Sequence, residues 1–174
     1  MLVMKDFREI CAEELICSPF KLIGKDWLMI CAADSSKKSG ANMMTASWGG
    51  LGILWNKPVA TVYIRPQRYS YSLVEGLDRI SLCFTGSQHR DALAFCGSKS
   101  GRDFDKPAHL GLDIGFDGDV PFIEQSEIVM ICKKAYADDL KKPNFVDTTH
   151  LKNYPSDDFH RFYILEIEKI LIKD

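Results

Sequence analysis

Two arginines set three residues apart close an apolar run, in Ile64-Arg65-Pro66-Gln67-Arg68-Tyr69-Ser70. Guanidinium forks followed by a hydroxyl and a helix start are the elements of a phosphate site, because forks and free helix amides both donate to oxyanions. The same segment also reads as a solvated strand end in which Ser70 only caps the helix. A second run, Gly97 to Lys106 (GSKSGRDFDK), gathers Ser98, Ser100, Arg102 and Lys106 with two glycines. It suits a phosphate or a negative ring edge; its plainer reading is a surface turn before a helix capped at Ser100 or Asp103. The third stretch is Asn42 to Gly50 (NMMTASWGG). Small hydroxyl residues ending in Trp-Gly-Gly are unusual core material. Glycine lets a flat ligand approach the backbone, and Trp48 offers a broad apolar face with one donor. The alternative is a barrel strand with a packed tryptophan before a loose corner. His160 opens the last apolar segment, either as a structural hydrogen-bonder or as a ligand-facing group.

Positioning these residues is the task of short strands. Leu28 to Ala33 is continuously apolar, as expected of a strand buried on both faces. Asp34 to Gly40 is polar and turn-like, a hairpin tip, and Asn42 to Trp48 is the returning strand. Gly49, Gly50 and Gly52 loosen the chain after it. Val59 to Ile64 is rich in β-branched residues and ends at Pro66. Tyr69 to Gly76 and His89 to Cys96 read as helices, the second with Ala92, Leu93 and Cys96 inward. Arg79 to Phe84 and Phe159 to Ile172 read as strands, and Val120 to Ile123 with Glu127 to Lys133 as a pair. At the start, residues 6–15 suggest a helix with Phe7, Ile10, Cys11 and Leu15 on one side, stopped by Pro19; Leu22 to Gly24 suggests a strand. Several strands at short spacing with small helices between them favour a mainly β barrel or sandwich over a doubly wound sheet. No repeat or linker divides the chain, so residues 1–174 are expected to form one domain.

Bulk properties narrow the chemistry. The formal charge is −2, from 22 basic and 24 acidic residues, so no positive field favours nucleic acid or an anionic membrane. No apolar run approaches the ~18 residues of a membrane-spanning helix. The six cysteines form no CxxC, and several sit in apolar runs as small reduced hydrophobes; the four histidines lack metal-site spacing, so no metal is expected. P-loop, GxGxxG and GxSxG patterns are absent. Met1 to Met4 is apolar, but Lys5, Asp6, Arg8 and Glu9 follow at once, so the expectation is a cytoplasmic protein without a signal peptide.

Taken together, Pro19 to Trp27 (PFKLIGKDW), Asn42 to Gly50, Ile64 to Ser70, Gly97 to Lys106 and Phe159 to Tyr163 (FHRFY) resemble the flavin reductase-like family of FMN-binding split barrels, in its flavoredoxin-like branch. The resemblance implies a six-stranded Greek-key split β-barrel with additional short helices. It implies a homodimer with FMN near the subunit interface, and NAD(P)H or a redox protein as electron donor. It assigns Asn42, Thr45, Ala46, Ser47 and Trp48 to the flavin ring and ribityl chain. Arg65, Arg68 and Ser70 fall on the phosphate side, with Tyr69 nearby. Ser98, Ser100, Arg102 and Lys106 close over the cofactor, and His160 approaches from the last strand as a proton donor. No covalent protein intermediate is expected.

Overall fold

The computed structural model describes residues 6–174. Ten strands are joined by short helices: β1 Phe7–Ile10, α1 Pro19–Lys21, β2 Leu28–Ala33, β3 Ala41–Ala46, β4 Gly49–Leu54, β5 Lys57–Ile64, α2 Tyr69–Gly76, β6 Arg79–Phe84, α3 Arg90–Ser98, α4 Lys106–Leu110, β7 Ile114–Asp117, β8 Val120–Ile123, β9 Ile128–Asp139 and β10 Arg161–Lys173. The main sheet runs β3-β2-β6-β9-β10-β5-β4, with β1 added along β10, and every pairing is antiparallel. It curls until β3 approaches β5 without hydrogen-bonding to it. That seam is the split in the barrel. Only Ser47 and Trp48 separate β3 from β4, so these two residues carry the chain from one edge of the sheet to the other.

Period-two alternation sorts the apolar residues into two cores. Leu28, Ile30 and Ala32 of β2 point into the barrel, with Val62 and Ile64 of β5, Leu82 of β6, Met130 of β9 and Tyr163 of β10. Met29 and Cys31 point the other way, with Met43, Cys83 and Ile131, and are covered by Leu93 and Cys96 of α3 and Phe122 of β8. Burial on both faces accounts for the unbroken apolar run of β2. Cys31, Cys83, Cys96 and Cys132 are buried free thiols. Among the described residues no cluster of metal-ligating side chains occurs, and no helix is long and apolar enough to cross a membrane.

β1 and β4 extend the six strands that wall the barrel into an eight-stranded sheet. Several local expectations are corrected. Residues 6–15 are no helix: Phe7–Ile10 pairs with Ile170 to Lys173 at the end of the long β10, and Ala12–Glu14 forms a 3-10 turn. A waiting strand partner overrides a helical period in so short a segment. Pro19 begins a helical turn rather than ending one; it follows Ser18, whose side chain accepts from the Lys21 amide at 3.4 Å. Leu22 to Gly24 lies in the following π-turn, Leu22–Asp26, not in a strand. Gly49 to Gly52 belongs to β4, and the glycine is steric: a Cβ on Gly49 would lie 2.5 Å from the Thr61 carbonyl oxygen of β5. Finally, Val120–Ile123 pairs with β7 across the Gly118 turn, while β9 pairs with β6 and β10.

Candidate functional site

The end of β3, the Ser47-Trp48 crossing, the end of β5 and the start of β10 meet at the seam. There they enclose a cleft of about 190 Å³ lined by Met44, Thr45, Ala46, Ser47, Trp48, Tyr63, Arg65, Arg68 and His160. Trp48 is 47% exposed, and its ring centroid lies 5.0 Å from that of the buried His160. Tyr63 meets His160 edge-on at 6.4 Å. The walls are therefore aromatic, which suits a planar ligand. Thr45 does not offer its hydroxyl freely: it donates to the Leu93 carbonyl of α3.

His160 Nδ1 is 2.9 Å from the Tyr154 hydroxyl. Burial, with the Arg65 charge beside it, pushes the imidazole down to about 4 against the opposing pull of Asp158. Burial raises the Tyr154 phenol, which stays protonated near neutral pH and can donate to Nδ1. Nε2 then carries the ring proton. A neutral imidazole is a hydrogen-bond donor, not an acid, so the expected proton-donor role of His160 does not fit this environment at pH 7.

A second cleft of about 190 Å³ adjoins the first and shares Arg68 with it. Its lining runs from Gln67 to Ser70 at the start of α2, through Gly97 to Arg102 at the end of α3, to Lys106. Arg68, Lys99, Arg102 and Lys106 bring four cations, and among the described residues no carboxylate lines the cleft. Arg68 donates to the carbonyls of Gly97 (3.0 Å) and Cys96 (3.1 Å), and Lys106 Nζ to those of Met43 (2.9 Å) and Cys96 (3.1 Å). Cations thus meet the carbonyl end of α3, where the helix has unsatisfied acceptors and its negative pole. Carbonyls hold these groups without neutralising them. Burial pushes Lys106 down to about 8, with Cys96 opposing and Arg68 reinforcing the shift. It lowers Arg68 too.

Arg65 departs from the expectation that it shares a phosphate site with Arg68. It lines the first cleft only, forms an ion pair with Asp158, donates to the Asn153 carbonyl at 2.9 Å and stacks 5.1 Å from the Tyr154 ring centroid. Asn42 does not line the flat cleft. It is buried, and its Nδ2 donates to Ser70 Oγ at 2.8 Å behind the cationic one. Ser98 turns its hydroxyl back onto the Ala94 carbonyl (3.0 Å), while Ser100 Oγ accepts from the Arg102 amide (3.1 Å). Tyr69 donates to Asp34 at 2.9 Å and carries the Arg102 guanidinium 5.4 Å from its ring centroid. Tyr63 and Lys99 were not singled out from the sequence. Tyr63 could have been, since it lies at the end of β5 two residues before Arg65, where strand alternation puts both on one side.

No family model and no curated protein sequence matches this chain. Solved structures do. A flavoredoxin of Desulfovibrio vulgaris (Miyazaki F) superposes with a TM-score of 0.66 at 16% identity, over 96% of this chain and 77% of its own. The FMN-binding domain of a flavin reductases-like enzyme from Shewanella baltica gives 0.65 at 17% identity, over 97% and 78%. A flavoredoxin from Methanosarcina acetivorans gives 0.64 at 17%, over 94% and 74%. With a curled antiparallel sheet, a seam and two adjoining clefts at its edge, this chain has the fold of the flavin reductase-like split barrels.

Proposed function

We propose that this chain binds FMN and serves as a flavin reductase or flavoredoxin-like oxidoreductase. One observation carries the reading. An aromatic-walled cleft and a cationic cleft without carboxylates lie side by side and share Arg68, which matches a planar ring joined to a phosphate. The structural neighbours include flavoredoxins and an FMN-binding domain of a flavin reductases-like enzyme, which supports the same reading.

Bound FMN supplies the hydride and electron chemistry; the protein supplies position and electrostatics. Trp48, Tyr63 and His160 would shield the ring from water, and residues 45–48 would meet its polar edge. Neutral His160 offers a hydrogen-bond donor. Arg68, Arg102, the first amides of α2 and the Ser70 hydroxyl would hold the phosphate. Lys106 adds positive charge from behind Arg68. Positive charge and donors near the ring favour its electron-rich reduced form.

NADH or NADPH is the proposed hydride donor, and an iron-sulfur or other redox protein the alternative. We further propose a homodimer. Its support is an apolar groove beside edge strand β4, lined by Leu15, Leu51, Ile53 and Ile167, and flanked by Ile16 (99% exposed) and Trp55 (57%).

The test begins with visible absorption of the purified protein and titration with FMN and riboflavin. Saturable FMN binding that exceeds riboflavin binding is expected. No binding of either flavin would sink the reading. Anaerobic titration with NADH and NADPH then separates an enzyme, which bleaches with turnover, from a carrier, which retains flavin but is not reduced. Light scattering should return twice the 19.7 kDa chain mass.

A further inference from the structure

Ser70 is almost wholly buried (3% exposed) and lines the cationic cleft. Its Oγ accepts a hydrogen bond from Asn42 Nδ2 at 2.8 Å. Among the described residues its own hydroxyl proton meets no acceptor. A serine oxygen that accepts from one side still has one proton to give. The cleft is the place left for it, and there Arg68, Lys99, Arg102 and Lys106 favour an anion over any other acceptor.

Asn42 is closely enclosed. It sits on β3 at 2% exposure, opposite Ala32, and Gly101 closes over it so tightly that a Cβ there would lie 2.0 Å from Asn42 Oδ1. That oxygen has no hydrogen-bond partner among the described residues. An unsatisfied buried acceptor is costly, so the amide is retained at the expense of stability. What it does in return is present N–H, not C=O, to Ser70.

From this pair we infer that Asn42 is a positioning residue: its amide N–H fixes Ser70 as a hydrogen-bond donor into the cationic cleft, and this sets the preference for a phosphorylated flavin over the same flavin without phosphate. The inference rests on the phosphate reading of that cleft. Asn42 itself does not touch the ligand. An aspartate at the same position would reverse the polarity: its carboxylate accepts the Ser70 proton, turns the hydroxyl from the cleft and places a negative charge behind the phosphate.

The readout is the ratio of the riboflavin Kd to the FMN Kd, which a general loss of packing would not move. Asn42→Ala and Ser70→Ala should each lower that ratio about tenfold, the equivalent of one hydrogen bond to a charged group. Asn42→Asp should lower it further, and riboflavin affinity should hold in all three. Asn42→Ala added to Ser70→Ala should cost nothing more. Should Asn42→Ala fail to fold, the isosteric Asn42→Asp beside Ser70→Ala still carries the test. An unchanged ratio in a folded Asn42 variant, equal losses for both flavins, or additive losses in the double variant would overturn the inference while leaving the phosphate site standing. A wild-type protein that binds riboflavin as tightly as FMN would overturn both.

Discussion

Arg65 and Arg68 are one helical turn apart in sequence and meet opposite fates. Arg65 faces the flat cleft and is neutralised by Asp158, with Gln67 Nε2 also donating to that carboxylate at 2.7 Å. Arg68 lines both clefts and rests on two carbonyls of α3. A carboxylate consumes a guanidinium's charge; carbonyl oxygens orient it and leave the charge available to an anion. The flat cleft thereby keeps only the Arg68 charge that it shares with its neighbour, and its aromatic walls suit a ring. Its neighbour accumulates uncompensated positive charge, which a phosphate dianion can meet. Both regions bury basic groups, His160 and Lys106, and burial lowers both, but only Lys106 titrates near neutral pH.

The largest effect that can break this contrast is Arg68→Ala, expected to weaken FMN binding by about 1.5–3 kcal/mol, the worth of a hydrogen bond to a charged group. Calorimetry with FMN and riboflavin should assign the loss to the phosphate. Gly101→Ala should follow. Its Cβ would meet Tyr69 Cδ1 at 2.5 Å as well as Asn42, so the loop must shift, at about 1–3 kcal/mol of overpacking. A lower thermal midpoint and weaker FMN binding would register it, and an unchanged midpoint would show the loop to be softer than its contacts indicate.

Lys106 sharpens the contrast through pH. The phosphate is a dianion above its second pKa of about 6, so raising the pH through about 8 removes only the ammonium's contribution. FMN affinity should fall across that window in the wild type and stay flat in Lys106→Met. His160 gives a smaller signal of the opposite kind. Its pKa is lowered from 6.5 in the unfolded chain to about 4 in the fold, so between these values the unfolded state binds more protons. Its contribution to stability is complete above pH 6.5 and is lost as the pH falls through 4. Melting curves of His160→Gln should show a weaker acid dependence than wild type over that range. The smallest expected change is the phosphate preference of Arg65→Ala. That variant should keep its riboflavin-to-FMN ratio within about twofold while loosening the segment that carries Asn153, Tyr154 and Asp158, because a half-buried ion pair contributes mainly to local order. A tenfold fall in the ratio would return Arg65 to the phosphate side.

Much of this protein could be read from residue order alone. Tyr69 to Gly76 and Arg79 to Phe84 have the bounds that periodicity and β-branching indicate, and the unbroken Leu28 to Ala33 run announces a strand covered on both sides. The three polar stretches that interrupt apolar strands supply most of the lining of the two clefts. Tertiary structure alone decided how those residues divide. Which arginine finds a carboxylate depends on Asp158, ninety-three residues from Arg65; whether Asn42 faces ligand or Ser70 depends on how β3 meets α2; and His160 loses its proton to burial that no local pattern encodes. Local sequence sets propensity and alternation, which act over a few residues. Charge neutralisation, desolvation and hydrogen-bond direction act through space, between segments that become neighbours only when the sheet curls to its seam.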